Sequence, residues 1–285
     1  MTGLLAGWPV RTAALAVVGP AGMLAREGDT GHRFWLASVT KPLAGLAVLV
    51  AVQEGALELD EPLAGRRCWP AELADDLPGA TVRHLLAHAS GLAPDRMRRA
   101  AAMGSRRIYS NSGFDVLGEL VAEVTEIPFE NYLAEAVFAP LGMGSASLDG
   151  SPARDGWAAV DDLVPVLAEL LAPGRVLDPT VAAEAATTQF PGLPGVLPGY
   201  GAQRDNVWGL GFEIRGEKQP HWTSAANSPA SYGHFGQGGT MFWIDPAARL
   251  GLVALADERF GDWAIEAWPR LSTEVLHRYR EGDSE

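Results

Sequence analysis

The chain carries one cysteine, Cys68, which excludes an internal disulfide framework, and nothing in it offers the Cys/His spacing of a zinc site. No metal and no cofactor are expected. Lysine is nearly as scarce: of 22 basic residues only Lys41 and Lys218 are lysines, so plain surface charge is almost always arginine. Positive charge is in deficit overall. The formal net charge of −13 argues against nucleic acid as a partner. No apolar run approaches the roughly 20 residues needed to cross a bilayer, so no membrane partner is expected. Ala13 to Val18 is apolar but short, with only Arg11 as a basic residue before it, and reads as a strand rather than a signal peptide. The expectation is a cytoplasmic protein, although a chain trimmed of its leader would read the same.

What is present is an ordinary folded composition, with 47% hydrophobic and 20% charged residues in 285, enough for a large core in one domain or two interleaved lobes. Thr12 to Val18, a Gly19-Pro20-Ala21-Gly22 turn and Met23 to Glu27 predict a hairpin. A run apolar on nearly every side, Leu43 to Val52, predicts a helix buried all round, from near Ser38 to about Gly55. Arg96, Arg98, Arg99, Arg106 and Arg107 read as a solvated basic loop. Helices are predicted over Phe114–Val124, Pro128–Val137, Asp161–Leu171 and Pro179–Thr187, and a loop over Pro191–Gly199, where proline and glycine rule out helix and central strand. Strands follow at Trp208–Ile214, Thr240–Ile244 and Leu250–Ala256, then a closing helix from near Pro269 to about Tyr279.

Strands at both ends with helices between them imply an α/β (α+β) fold, its antiparallel sheet drawn from both termini and a mostly helical lobe inserted. The expected division is a sheet lobe of about 1–37 plus 200–285 and a helical lobe of about 38–199. Distant motifs then meet at the boundary between lobes.

Three such motifs carry chemistry. Ser38 and Lys41 stand three residues apart at the mouth of the buried run, a spacing that puts both side chains on one helix face. An ammonium held among apolar groups can lose its proton where a guanidinium cannot, so a lysine in a chain that otherwise uses arginine points to a base, and the neighbouring serine to a nucleophile. The other two are Tyr109-Ser110-Asn111, just before a predicted helix, and His234-Phe235-Gly236, just before a predicted strand. Taken singly these are weak: Tyr109 and Asn111 read as a turn and a helix cap, and His234 as a packed histidine. Trp35, Trp208 and Trp243 read as core, and His88 and Ser90 as structural.

With all three in hand, the chain resembles the penicillin-recognising serine hydrolase superfamily, within it the group of class C β-lactamases, serine D-alanyl-D-alanine peptidases and serine esterases. Ser38 to Lys41 matches its SxxK element, Tyr109-Ser110-Asn111 its Tyr-x-Asn, and His234-Phe235-Gly236 its Lys-Thr-Gly or His-x-Gly. The stretches LLAHASGL (Leu85–Leu92), PLGM (Pro140–Met143), AVDDL (Ala159–Leu163) and WGLGF (Trp208–Phe212) support the match. The resemblance implies a serine β-lactamase-like fold, Ser38 as nucleophile, Lys41 as the group that polarises it, and Tyr109 as acid/base partner. A phenol flanked by an ammonium is expected to have its phenolate favoured. Asn111 would hold an acyl-side carbonyl or fix Lys41. The backbone N–H groups of Ser38 and of Gln237, after Gly236, would form the oxyanion hole, and His234 would face the leaving group.

The third motif carries His234 where β-lactam enzymes carry a lysine that helps receive the substrate carboxylate, and this leans towards an esterase. The expected function is therefore a cofactor-free serine hydrolase or acyltransferase that forms an acyl-serine on a small-molecule ester or amide. The alternatives are a D-Ala-D-Ala peptidase or β-lactamase, and a catalytically silent ligand-binding relative. Acyl group, leaving group and oligomeric state are not legible.

Overall fold

The computed structural model describes residues 3–280. Its centre is a six-stranded antiparallel sheet in the order Gly22–Gly28, Ala13–Gly19, Leu250–Ala256, Thr240–Asp245, Tyr232–Gly236 and Glu213–Ile214. Strands from the two ends of the chain are direct neighbours, with Ala16 opposite Val253.

Both faces of this sheet are covered, so its middle strands read as unbroken apolar runs rather than alternating ones. Successive side chains still point to opposite faces. Ala14, Ala16, Phe242, Ile244, Val253 and Leu255 join the larger core, with Leu163 and Val166 of the helix Val160–Leu171. Leu15, Val17, Trp243 and Leu252 instead meet Trp268, Leu271 and Val275 of the closing helix Asp262–Tyr279. The remaining helices lie between the two terminal sets of strands in sequence. The helix Thr40–Gln53 is the most enclosed of them, with only Val52 and Gln53 of its 14 residues reaching solvent.

Four expectations need correction. The closing helix starts at Asp262, not near Pro269, which lies inside it; burial of Ala264 and Trp268 outweighs the hydrogen bond that proline cannot donate. The Trp208–Ile214 stretch is a strand only at Glu213–Ile214. Upstream of that, its backbone packs on the buried helix: a Cβ on Gly211, whose φ is +85°, would lie 3.4 Å from the Gly45 Cα. The Pro191–Gly199 loop contains a strand, Gly195–Leu197, paired with Gly201–Gln203 in a separate two-stranded ribbon, where prolines on the flanks interrupt no ladder. Finally, Arg107 does not belong to the solvated basic loop. Arg96, Arg98, Arg99 and Arg106 are exposed, but Arg107 is 2% exposed. Its guanidinium donates to the main-chain oxygens of Ala87, Gln189, Phe190 and Asn206. Five fixed donors suit it to gathering loop carbonyls that would otherwise be buried without partners.

Among the described residues no helix is long and apolar enough to cross a membrane, and no three His, Cys, Asp or Glu side chains converge to hold a metal ion.

Candidate active site

Ser38 sits in a one-turn 3₁₀ segment, Ala37–Val39, that feeds the buried helix. Ala37 has φ +47°, a left-handed conformation that costs a residue with a Cβ about 1 kcal/mol. Thr40 holds the turn there: its hydroxyl donates to the Ala37 carbonyl at 2.6 Å and accepts from the Gly156 N–H at 2.9 Å. On the other side the strand Tyr232–Gly236 presses close. A Cβ at Gly236 would strike the Leu36 carbonyl and lie 3.1 Å from the Ser38 nitrogen, so this position needs a residue without one. Gln237, the next residue, is exposed at the mouth of the cavity that Ser38 lines.

Lys41 is fully buried one turn along. Its ammonium donates to Asn111 Oδ1 at 2.6 Å and to the Ala153 carbonyl at 2.9 Å, and it lies over the Tyr109 ring, 4.4 Å from the centroid. Asn111 therefore contacts Lys41, and its Nδ2 donates to Asp95 at 2.7 Å. Burial pushes the Lys41 amine down to about 7, and the negative field of Asp115 only partly offsets this.

Tyr109 lies just ahead of the helix Asn111–Thr125, whose cap is the extended Ser110: the Ser110 hydroxyl accepts from the Gly113 N–H at 3.1 Å. The Tyr109 ring packs on His88 at 4.7 Å and near Trp208 at 5.9 Å. Its hydroxyl has no partner in hydrogen-bonding geometry. Burial raises the phenol well above its ordinary value, and Ser38, close enough to favour the anion, does not reverse that. The expected phenolate is thus not the resting form. The ammonium sits over the ring face instead of beside the oxygen, so burial decides.

His234 lines the same cavity, 3% exposed. Its Nδ1–H donates to the Phe235 carbonyl at 2.6 Å, leaving Nε2 bare and without a partner. Burial, assisted by the charge of Lys41, pushes its pKa down to about 3, so the ring is neutral. His88, behind Tyr109, accepts the Ser110 N–H on Nδ1 at 3.1 Å.

The cavity measures about 60 Å³, and Ser38, Tyr109, His234 and Gln237 all line it. Lys41 and Asn111 stand behind Tyr109 and Gly236 behind Ser38, so the fold gathers all seven predicted residues in one place. Five lining residues escaped the sequence reading, among them the apolar Leu197, Pro198 and Phe235. Trp208 is a wall of the cavity as well as core, and Glu213 is a buried carboxylate facing it, 1% exposed. Glu213 Oε1 accepts from Lys218 at 2.7 Å and from His221 Nε2 at 2.9 Å, and Oε2 accepts from the Trp222 indole at 2.7 Å. Burial alone would raise this carboxyl, but Lys218 and His221 outweigh it and hold it ionised. The scarcity of lysine was a usable signal here, since Lys218, like Lys41, is fully buried.

A sheet closed by both chain ends, with a serine and a buried lysine one turn apart at its edge beside a tyrosine, defines a penicillin-recognising serine hydrolase fold. The chain belongs to the Beta-lactamase family, whose model matches residues 9–273. The crystal structure of a beta-lactamase from Mycobacterium bovis is 52% identical, covering 97% of this chain and 98% of that one with a TM-score of 0.91. Esterase EstB of Burkholderia gladioli is 28% identical across 86% of this chain and 87% of its own length. EstCE1, described as a hydrolase with promiscuous acyltransferase activity, shares the fold at a TM-score of 0.78 and 17% identity, covering 94% of each chain.

Proposed function

We propose that this protein is an esterase-like serine hydrolase, competent for acyl transfer, that forms an acyl-serine on Ser38 from a small ester or amide. The observation that carries the reading is a serine one turn from a fully buried lysine, on a cavity shared with an unpartnered tyrosine hydroxyl; burial pushes the amine down to about 7.

The Ser38 hydroxyl proton passes to neutral Lys41, directly or through the Tyr109 hydroxyl, as Oγ bonds to the substrate carbonyl carbon. The oxyanion is received by the N–H groups of Ser38 and Gln237. Tyr109, a neutral phenol at rest, gives its proton to the departing oxygen or nitrogen as the carbonyl bond to it breaks, and Lys41 restores that proton. Water or an acceptor alcohol then attacks the acyl-serine by the same route in reverse. Asn111 keeps the lysine amine aimed at this relay.

Hydrolysis of β-lactams is the second reading, favoured by the 52% likeness to the Mycobacterium bovis structure. Against it stands the cavity's charge. His234 is neutral, Glu213 is anionic and Lys218 is already paired to it, so among the described residues that line the cavity none is a cation to receive a substrate carboxylate. Intact mass after exposure to a fluorophosphonate tests the main reading. One adduct on the wild type and none on Ser38→Ala is expected, and a folded wild type that stays unlabelled would leave only a ligand-binding role.

A further inference from the structure

The cavity beside Ser38 has a polarity that the reaction alone does not require. Two of the groups lining it are hydrogen-bond acceptors with spare capacity. Because the Phe235 carbonyl can only accept, the His234 Nδ1 must carry the proton, and Nε2 presents a lone pair to which nothing in the protein donates. Glu213 accepts three donors, two on Oε1 and one on Oε2, whereas a carboxylate has about four lone-pair positions. One on Oε2 is left. The ammonium of Lys218 balances the carboxylate charge. His221 adds none, because its Nδ1 accepts the Thr223 N–H at 3.1 Å and the ring is neutral.

A buried acceptor without a donor is costly, so a ligand that supplies the donor gains what one lacking it forfeits. The Tyr109 hydroxyl, which in the reading above protonates the leaving atom, lines the same cavity, and that places the leaving group there. We propose that this cavity receives the alcohol portion of the substrate and selects a short, uncharged alcohol bearing its own O–H or N–H donor for His234 and Glu213. The inference rests on the serine-hydrolase reading and adds the leaving-group class to it. With a volume of about 60 Å³, at about 15 Å³ for each water-sized group, the cavity admits about four heavy atoms beyond the ester oxygen, not a long chain.

The test is kcat/KM of the full chain, by titration of released acid, on four acetates: hydroxyethyl acetate, propyl acetate, acetylcholine and O-acetylglycolate. Hydroxyethyl acetate should exceed its methyl-for-hydroxyl isostere propyl acetate by about tenfold or more. Acetylcholine, a cation without a donor, should gain nothing over propyl acetate, and anionic O-acetylglycolate should be the poorest. In His234→Lys the bare acceptor becomes a cationic donor, and the ratio of O-acetylglycolate to hydroxyethyl acetate should rise by about tenfold or more. If that variant does not fold, the wild-type series decides alone. Parity of hydroxyethyl and propyl acetate, preference for acetylcholine, or no turnover of hydroxyethyl acetate by a protein whose Ser38 takes up fluorophosphonate would overturn the donor requirement and leave the hydrolase reading intact. Absence of both adduct and turnover would sink the two together.

Discussion

The Lys41 ammonium rests on the face of the Tyr109 ring, 4.4 Å from its centroid, and donates to the Asn111 amide oxygen at 2.6 Å. The two residues touch through charge and π-face, not through the phenol oxygen. At rest, then, the phenol is neutral and the base is the amine. Lys41→Arg should lower kcat by about 10²–10⁴-fold, the usual range for general acid/base catalysis, because a guanidinium keeps its proton. Tyr109→Phe should fall in the same range and combine with it less than additively. Circular dichroism controls for folding. A folded Lys41→Arg protein with kcat near wild type would refute the relay.

The pH dependence follows from which form of Lys41 works. Its amine is pushed down to about 7, and the neutral form accepts the proton, so kcat/KM should fall as pH drops through about 7 and level off above it. The linkage to stability has the same sign. Between about 7 and the ordinary 10.5 the unfolded chain holds a proton that the folded chain has lost, so stability contributed by this group rises with pH across that window. Urea midpoints of wild type minus Lys41→Met, taken at several pH values, should show that rise. A flat difference would mean the burial penalty is not felt.

Substrate charge gives a third expectation. With a neutral His234 and a paired Glu213 at the cavity, kcat/KM for a short-chain ester should exceed that for a cephalosporin, whose carboxylate finds no cation among the described residues lining it. Efficient cephalosporin turnover would favour the β-lactamase reading instead.

Arg107 and Arg106 are adjacent in sequence and opposite in environment. Arg107→Ala strips the donors from four main-chain oxygens around the cavity-bearing loops and should cost about 3 kcal/mol or more in urea unfolding. Arg106→Ala removes an exposed charge and should change stability by no more than about 0.5 kcal/mol. Equal effects from the two would show that the buried guanidinium does not hold these loops.

Much of this protein was decided locally and is readable as such. Apolar runs placed the strand Ala13–Gly19, the buried helix and the strands Thr240–Asp245 and Leu250–Ala256 to within a few residues, because burial on both faces leaves no other reading for them, and the turn residues Gly19 to Gly22 added the largely exposed hairpin partner Gly22–Gly28. Lys41 stood out as a lysine in a chain that prefers arginine, and Ser38 with it, whereas Tyr109 and His234, weak singly, were picked out only by the resemblance of the three motifs in order to the penicillin-recognising superfamily. Tertiary structure alone decided the rest. Whether Arg107 is a surface charge or a buried clasp depends on four carbonyls that lie between 20 and 99 residues away in the chain. Glu213 became part of the site because the strand holding it pairs with Tyr232–Gly236, which carries His234. The protonation of Tyr109 likewise turned on burial and on the side of the ring from which Lys41 approaches, since a pKa is set by surroundings in space and not by neighbours in the chain.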